Sequence, residues 1–363
     1  MGRSPIQSTK ARIYIQEYIL QKQLKENDPL PSENYWEKQI GVSRVTVRRA
    51  LADLQEAGIL KSVRGKGYFL QEKPVSAAKR PFPVVMHSAS YVFGSIKLLE
   101  GITRCLNDHG YMLNLVILDA DTATEESTLL RLYGEGFRHV LFFSADHPVD
   151  GKLFARLHAE GMCFTFAGSP PTYLSTDLVE SDNIANAYDI TAYLIRKGHR
   201  RIAWFASVQK EEALSMTPIR KRQMGFRLAL EAHGIPFDES DFFFWEQPDD
   251  PDTVRRIVSS EKQYSAIVAV NDASALSLIY QLINLGFRVP ADYSVVGYDN
   301  IPLLYADNRI RLTTVEQPFF EIGYRAAELA VTRLEDPARE TCHLYLPGPV
   351  IEGETVRALT STD

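Results

Sequence analysis

The sequence predicts an α/β protein in which a small helical head, closed by a short hairpin, precedes a body of two doubly wound parallel sheets. Three observations carry that expectation. The chain has 363 residues, 45% of them hydrophobic, enough for two or three packed domains and too apolar for a mainly disordered protein. From residue 84 onward, short apolar runs alternate with amphipathic stretches that end at glycine, the rhythm of βαβ units. Between head and body, Gln71-Glu-Lys-Pro-Val-Ser-Ala-Ala-Lys-Arg-Pro-Phe-Pro83 holds three prolines and no apolar period, so it reads as a linker. The expected domains are 1–71, a linker 72–81, and 82–363.

In the head, Ile13, Ile15, Ile19, Leu20 and Leu24 line one side of a first helix over roughly 9–25, which Asn27-Asp-Pro29 ends. Leu30-Pro-Ser32 opens a second, short helix, with Ser32 as N-cap and Glu33 in the first turn. Gly41-Val42 makes a tight turn and Ser43 caps a third helix. At 100° per residue, Val47, Ala50, Leu51 and Leu54 form its core stripe. Val45, Arg48 and Arg49 point away from that stripe, and Arg44 sits near its edge. An outward valine among arginines suits a helix in a DNA major groove, where it can meet a thymine methyl while arginine reaches guanine O6 and N7. Gly58 stops the helix. Two strands, 59–62 and 68–70, then flank Val63-Arg-Gly-Lys-Gly67, in which Gly65 and Gly67 permit the turn and Arg64 and Lys66 supply charge. The bland alternative is a solvated arginine-bearing helix in a small interaction domain.

Charge is distributed to match. Of the 40 Lys+Arg and 46 Asp+Glu in the chain, residues 1–73 hold 13 and 8, which leaves 27 and 38 for the rest. A basic head on an acidic body concentrates attraction to phosphate in one module. Three cysteines, Cys105, Cys163 and Cys342, lie far apart with no CxxC pair, so they are expected as reduced thiols rather than a disulfide or zinc framework. The polar start, Met1 to Lys10, lacks an apolar signal core, and no run approaches the ~18 apolar residues of a membrane span. A soluble, cytoplasmic protein is expected.

Leu30-Pro-Ser-Glu33, Gly41-Val-Ser-Arg-Val-Thr-Val-Arg-Arg-Ala-Leu51, Gly58-Ile-Leu60 and Gly65-Lys-Gly67 together resemble the winged helix-turn-helix head of the GntR family, over nearly all of residues 8–71. The resemblance implies DNA contacts from Ser43, Arg44, Thr46 and Arg48, and from the wing residues Gly65, Lys66 and Gly67. Val45, Arg49 and Arg64 complete the candidate set on the residues' own placement. One departure is Asn34, where family members usually carry arginine, so one contact is altered or missing.

The body reads as strands at 84–87, 112–118, 140–144, 163–167, 202–206, 242–245, 266–270 and 294–298, with helices ending at Gly110, Gly161, Gly198, Gly234 and Gly286. That count suits two lobes, with ligand between them at the carboxyl ends of the strands. Glu180-Ser-Asp-Asn183, Gly198-His-Arg-Arg-Ile202, Arg222-Gln-Met-Gly-Phe226, Val270-Asn-Asp272, Val289-Pro-Ala-Asp-Tyr-Ser-Val-Val-Gly-Tyr-Asp-Asn300 and Leu312-Thr-Thr-Val-Glu-Gln-Pro318 resemble the effector-binding body of the LacI/GalR repressors, which shares its fold with periplasmic sugar-binding proteins. The likeness covers about residues 82–357. It implies lobe crossings near residues 184, 316 and 346, and dimerisation through the body.

Arg220, Lys221 and Arg222 oppose the positive end of a helix opened by Thr217-Pro218, so at least one needs another reason to be there. The resemblance assigns Arg222, three residues before Gly225, to clamp the ligand, with Asn271 and Asp299 entering from the second lobe. A guanidinium beside carboxylate and amide groups suits adjacent hydroxyls. Gln317, at a crossing, is a further candidate, and Tyr91, Phe93 and Trp245 are candidate aromatic walls. Each has a plainer reading: Asp299 in an Asx-turn, Asn271 as a helix cap, Trp245 and its three preceding phenylalanines as core. Glu180-Ser-Asp-Asn183 reads as turn and lobe-crossing chemistry rather than as a contact.

No GxSxG elbow, Walker loop, HExxH or metal cluster occurs, so no catalytic residue, metal or cofactor is expected. The expected function is a DNA-binding regulator, a repressor of carbohydrate genes. A homodimer would bind a pseudo-palindromic operator, and a small sugar would modulate it. The rival from another class is a cytosolic sugar-binding or sugar-processing protein, and a nucleobase is the alternative effector.

Overall fold

A computed structural model describes residues 11–12, 14–15, 18–19, 22, 24–25, 27–56, 59–63, 65–71, 80–87, 92–118, 122–144, 151–169, 175–247, 250–301 and 310–359. They fall into two compact units, Met1–Arg80 and Pro81–Asp363.

In the first unit the helix Glu33–Ile40 is capped by Ser32 and ends at Gly41, whose φ of 72° lets its N–H return to Glu37 O at 3.1 Å. The helix Arg44–Glu56 follows. Its predicted stripe holds: Val47, Ala50, Leu51 and Leu54 are fully buried, packed with Ala11, Ile15, Trp36 and Leu60. Trp36 anchors this core, meeting the Tyr18 and Tyr35 rings edge-on at 5.0 and 5.2 Å. Strands β1 (Leu60–Val63) and β2 (Gly67–Leu70) pair antiparallel, with Val63 opposite Gly67. Both lie nearer the hairpin tip than the sequence suggested. Ile59 N–H is taken by Leu54 O at 2.9 Å, so it closes the preceding helix instead of starting the strand. Residues 27–30 add a third edge, with Leu30 N–H on Tyr68 O and Leu70 N–H on Asp28 O, both at 2.9 Å. Gly58 and most of the expected linker lie outside the described residues.

The second unit holds two main sheets. One has the order β13-β7-β6-β5-β3-β4, built from β3 (Arg80–His87), β4 (Tyr111–Leu118), β5 (His139–Ser144), β6 (Cys163–Gly168), β7 (Asp177–Ser181) and β13 (His343–Leu346). The other has the order β11-β10-β8-β9, built from β8 (Ile202–Ala206), β9 (Phe242–Phe244), β10 (Ala266–Ala269) and β11 (Ser294–Val296). The pairings of β8 with β9 and β10, and of β10 with β11, are parallel, as are those from β3 through β5, β6 and β7 to β13. All eight anticipated strands form, and the five predicted helix-ending glycines have φ between 64° and 97°.

Four strands were not anticipated: β7, β13, and the short antiparallel pair β12 (Thr314–Val315) and β14 (Val350–Ile351). The chain passes between the sheets near residues 184, 316 and 346, as the resemblance implied. After β7 the helix Asn183–Arg196 leads to β8, after β12 the helix Phe319–Glu335 returns to the first sheet, and β13 leads on to β14. Glycines set two close helix crossings. A Cβ on Gly101 or Gly323 would lie 2.1 Å from Phe320 O or Leu98 O, and one on Gly225 would lie 2.2 Å from Ile184 O. The last contact seats the helix Thr217–Ala232 on Asn183–Arg196 and so aims Arg222, one turn earlier, at the space between the lobes.

Candidate functional site

The head presents an exposed face on the helix Arg44–Glu56. Val45 is 70% exposed, and the Arg44 and Arg48 side chains are more than half exposed. Arg49 is exposed as well. Ser43 O accepts the first helical N–H groups, and Ser43 Oγ lies 2.9 Å from Thr46 Oγ1. One participant was not foreseen. The Glu33 carboxylate accepts from Arg44 Nε at 2.8 Å and from Arg48 Nη2 at 3.0 Å. The Arg48 hydrogen bonds, then those of Arg44, hold its carboxyl below the usual range. Sequence spacing placed Glu33 only in a helix first turn, since a contact 11 and 15 residues away depends on how the two helices cross. In the hairpin, Gly65 and Gly67 adopt φ of 78° and 95°, and exposed Lys66 closes the turn through its N–H on Val63 O at 2.9 Å. Arg64 lies outside the described residues.

In the body, a cavity opens between the two sheets. Phe143, Gly168, Ser169, Glu180 and Ser181 reach it from the carboxyl ends of β5, β6 and β7, where an open parallel sheet binds ligands. Asn183, Arg222, Asp299 and Gln317 face them. Arg222 is 9% exposed and its guanidinium is held on every side. Nε donates to Asn183 Oδ1 at 2.9 Å, Nη1 to Val270 O at 2.7 Å, and Nη2 lies 3.4 Å from Asp299 Oδ1. The plane also stacks 3.7 Å from the Tyr298 ring centroid. Asp299 is 2% exposed and accepts from Gln317 Nε2 at 2.6 Å. Its φ of 120° is unusual for a residue with a side chain. Asp299 N–H on Val315 O at 2.8 Å and Asp272 Oδ2 accepting Ile301 N–H at 3.0 Å hold the loop in that conformation. Asn186 ties the lobes behind the site, donating to Ser181 Oγ and the Tyr298 hydroxyl at 3.1 and 3.0 Å.

Arg222, Asp299 and Gln317 are thus brought together on one wall. Asn271 takes the plainer reading: its Oδ1 accepts Ser274 N–H at 2.8 Å and caps the helix Asp272–Asn284, and it is not among the cavity-lining residues. Trp245 packs edge-on against Phe205 at 6.3 Å, and Phe242, Phe243 and Phe244 are core. Trp245 borders a separate surface groove with Gln209 and Arg256. Tyr91 and the Phe93 side chain lie outside the described residues. Glu180-Ser-Asp-Asn183 needs correction. Asp182 caps a helix at the lobe crossing, but Glu180, Ser181 and Asn183 line the cavity. The reason is β7, whose unrecognised strand aims its carboxyl end at the other lobe. Glu180, 2% exposed, pairs there with Lys221.

Comparison with known proteins agrees with both units. Residues 7–70 match the bacterial regulatory proteins of the gntR family, and residues 191–356 match the periplasmic binding protein-like domain. The chain is 26% identical to the arabinose metabolism transcriptional repressor of Geobacillus stearothermophilus, over 93% of this chain and 94% of that one. It is 30% identical to the HTH-type transcriptional repressor PurR of Vibrio cholerae serotype O1, over 89% and 97%. Among solved structures, a complex of the transcriptional regulator CelR with cellobiose aligns with a TM-score of 0.66 and 25% identity, over 86% and 91%. The chain belongs to the helix-turn-helix transcriptional regulators of LacI-like architecture, with a GntR-type head on a periplasmic-binding-protein-like body.

Proposed function

We propose that this regulator is a repressor of carbohydrate-utilisation genes, released from or recruited to its operator by a sugar held between the lobes. The carrying observation is the Arg222–Asp299–Gln317 wall. It offers a buried fork of donors beside an acidic acceptor, the pairing that satisfies neighbouring hydroxyls. A curated relative named for arabinose metabolism and a structural neighbour complexed with cellobiose support a sugar. Ser43, Arg44, Val45, Thr46, Arg48 and Arg49, with Lys66 and the wing glycines, form the DNA-contacting set, and Arg48 reads bases. Two heads in a homodimer joined through the bodies engage the two halves of a pseudo-palindrome. The site acts as a sensor, retaining its sugar without turnover.

The test is Arg222→Ala in the full-length protein. Its affinity for a duplex selected from random oligonucleotides should match the parent's, while the response of that affinity to sugar disappears. An undiminished response removes Arg222 from the effector site.

A further inference from the structure

Among the described residues, the charges around the cavity cancel in pairs, one pair within a lobe and the other across the cleft. Arg222 faces Asp299 at 3.4 Å, both buried. Glu180, on the opposite sheet, is contacted by Lys221 from the helix that carries Arg222. Ser169 Oγ lies 3.4 Å from the other Glu180 oxygen. Every other described residue lining the cavity is uncharged, and Leu98, Phe143, Phe319 and Ile322 make part of the wall apolar. The helix Asn183–Arg196 also begins here, but Asp182 already caps it through Ala185 N–H at 3.0 Å.

Resting on the reading of this cavity as the effector site, we infer that it takes an uncharged polyhydroxyl ligand, a free sugar, and rejects that sugar's phosphate ester, with Glu180 as the determinant. A phosphate monoester brings a charge near −2 at pH 7. Neither cation has an open charge to offer it, since each already faces a carboxylate. Freeing one leaves a buried carboxylate uncompensated, which is costly. Glu180 would stand as a like charge beside the incoming ester. Hydroxyls present no such conflict. They donate to Glu180 and Asp299 and accept from Arg222, Asn183 and Gln317, while the C–H face of a pyranose lies on the apolar wall.

The experiment is titration calorimetry on the full-length protein with matched pairs: arabinose and arabinose 5-phosphate, ribose and ribose 5-phosphate, glucose and glucose 6-phosphate. At least one free sugar should bind about a hundredfold or more tighter than its own ester. Glu180→Gln should narrow that ratio by about tenfold, and Glu180→Asp, which keeps the charge, should preserve it. If Glu180→Gln does not fold, the parent ratio and Glu180→Asp decide alone. An ester that binds as tightly as its free sugar overturns the inference, as does an unchanged ratio in folded Glu180→Gln. Discrimination in which an ester binds while no free sugar does overturns it too, yet leaves the sugar cavity standing. Heat from no member of any pair overturns the sugar cavity itself, and the inference with it.

Discussion

Glu33 is where Arg44 and Arg48 converge. On the surface proposed to meet DNA, a carboxylate would weaken non-specific attraction while fixing the planar forks of Arg44 and Arg48 before DNA arrives. The two kinds of residue therefore give opposite signatures. Glu33→Gln should raise affinity for any duplex several-fold, steepen its salt dependence and blur sequence preference. Arg48→Ala should weaken binding to the selected duplex by roughly 5- to 150-fold and affect a scrambled one far less. Fluorescence anisotropy on both duplexes across a salt series separates them. An equal loss on both in Arg48→Ala assigns that side chain to the backbone rather than to bases. At this scale Val45 was legible as an outward apolar anomaly, and three basic residues against a helix dipole were another, from which the resemblance to the LacI/GalR body singled out Arg222 and to which it added Asp299. Glu33 and Glu180 were not, since their partners lie 15 and 41 residues away and meet them only through packing.

Elements were legible where apolar runs were continuous, and β7 shows why the rule fails. Asp177-Leu-Val-Glu-Ser181 is buried throughout, yet three of its five residues are polar, so it lacks the signal of a buried strand. Its polar groups are satisfied by distant partners. Arg333 grips Asp177 with two bonds of 3.0 Å, and Arg339 adds one at 2.6 Å. β13 escaped notice as an edge strand, and β12 and β14 as pairs of residues. The same sheet carries an acid-sensitive group. His139 on β5 is 2% exposed, with Nε2 on Thr165 Oγ1 at 2.9 Å, and burial pushes its pKa down to about 3 from 6.5. Between those values the unfolded chain holds a proton that the folded one refuses. Its stabilising contribution is therefore complete above pH 6.5 and lost as pH falls toward 3, by up to about 1.4 kcal/mol per pH unit. Thermal midpoints measured between pH 7 and 5 should fall, and His139→Gln, which keeps a donor toward Thr165, should flatten that slope. The same slope in both proteins would place the acid sensitivity elsewhere.

The whole molecule divides electrostatically as it divides structurally. The basic residues 1–73 carry the helix Arg44–Glu56, and the acidic remainder carries the cavity, a division that would draw duplex to the first unit under the proposed function. Under the proposed function, occupancy between the lobes must change how the heads of a homodimer meet their half-sites. Such coupling is reciprocal. A sugar that alters duplex affinity must have its own affinity altered equally by duplex. The most direct test is duplex affinity of the full-length protein with and without a sugar shown by calorimetry to bind it. The account predicts a change of roughly 5- to 150-fold, matched by an equal change in sugar affinity when duplex is present. Identical duplex affinity while the cavity is saturated would contradict it.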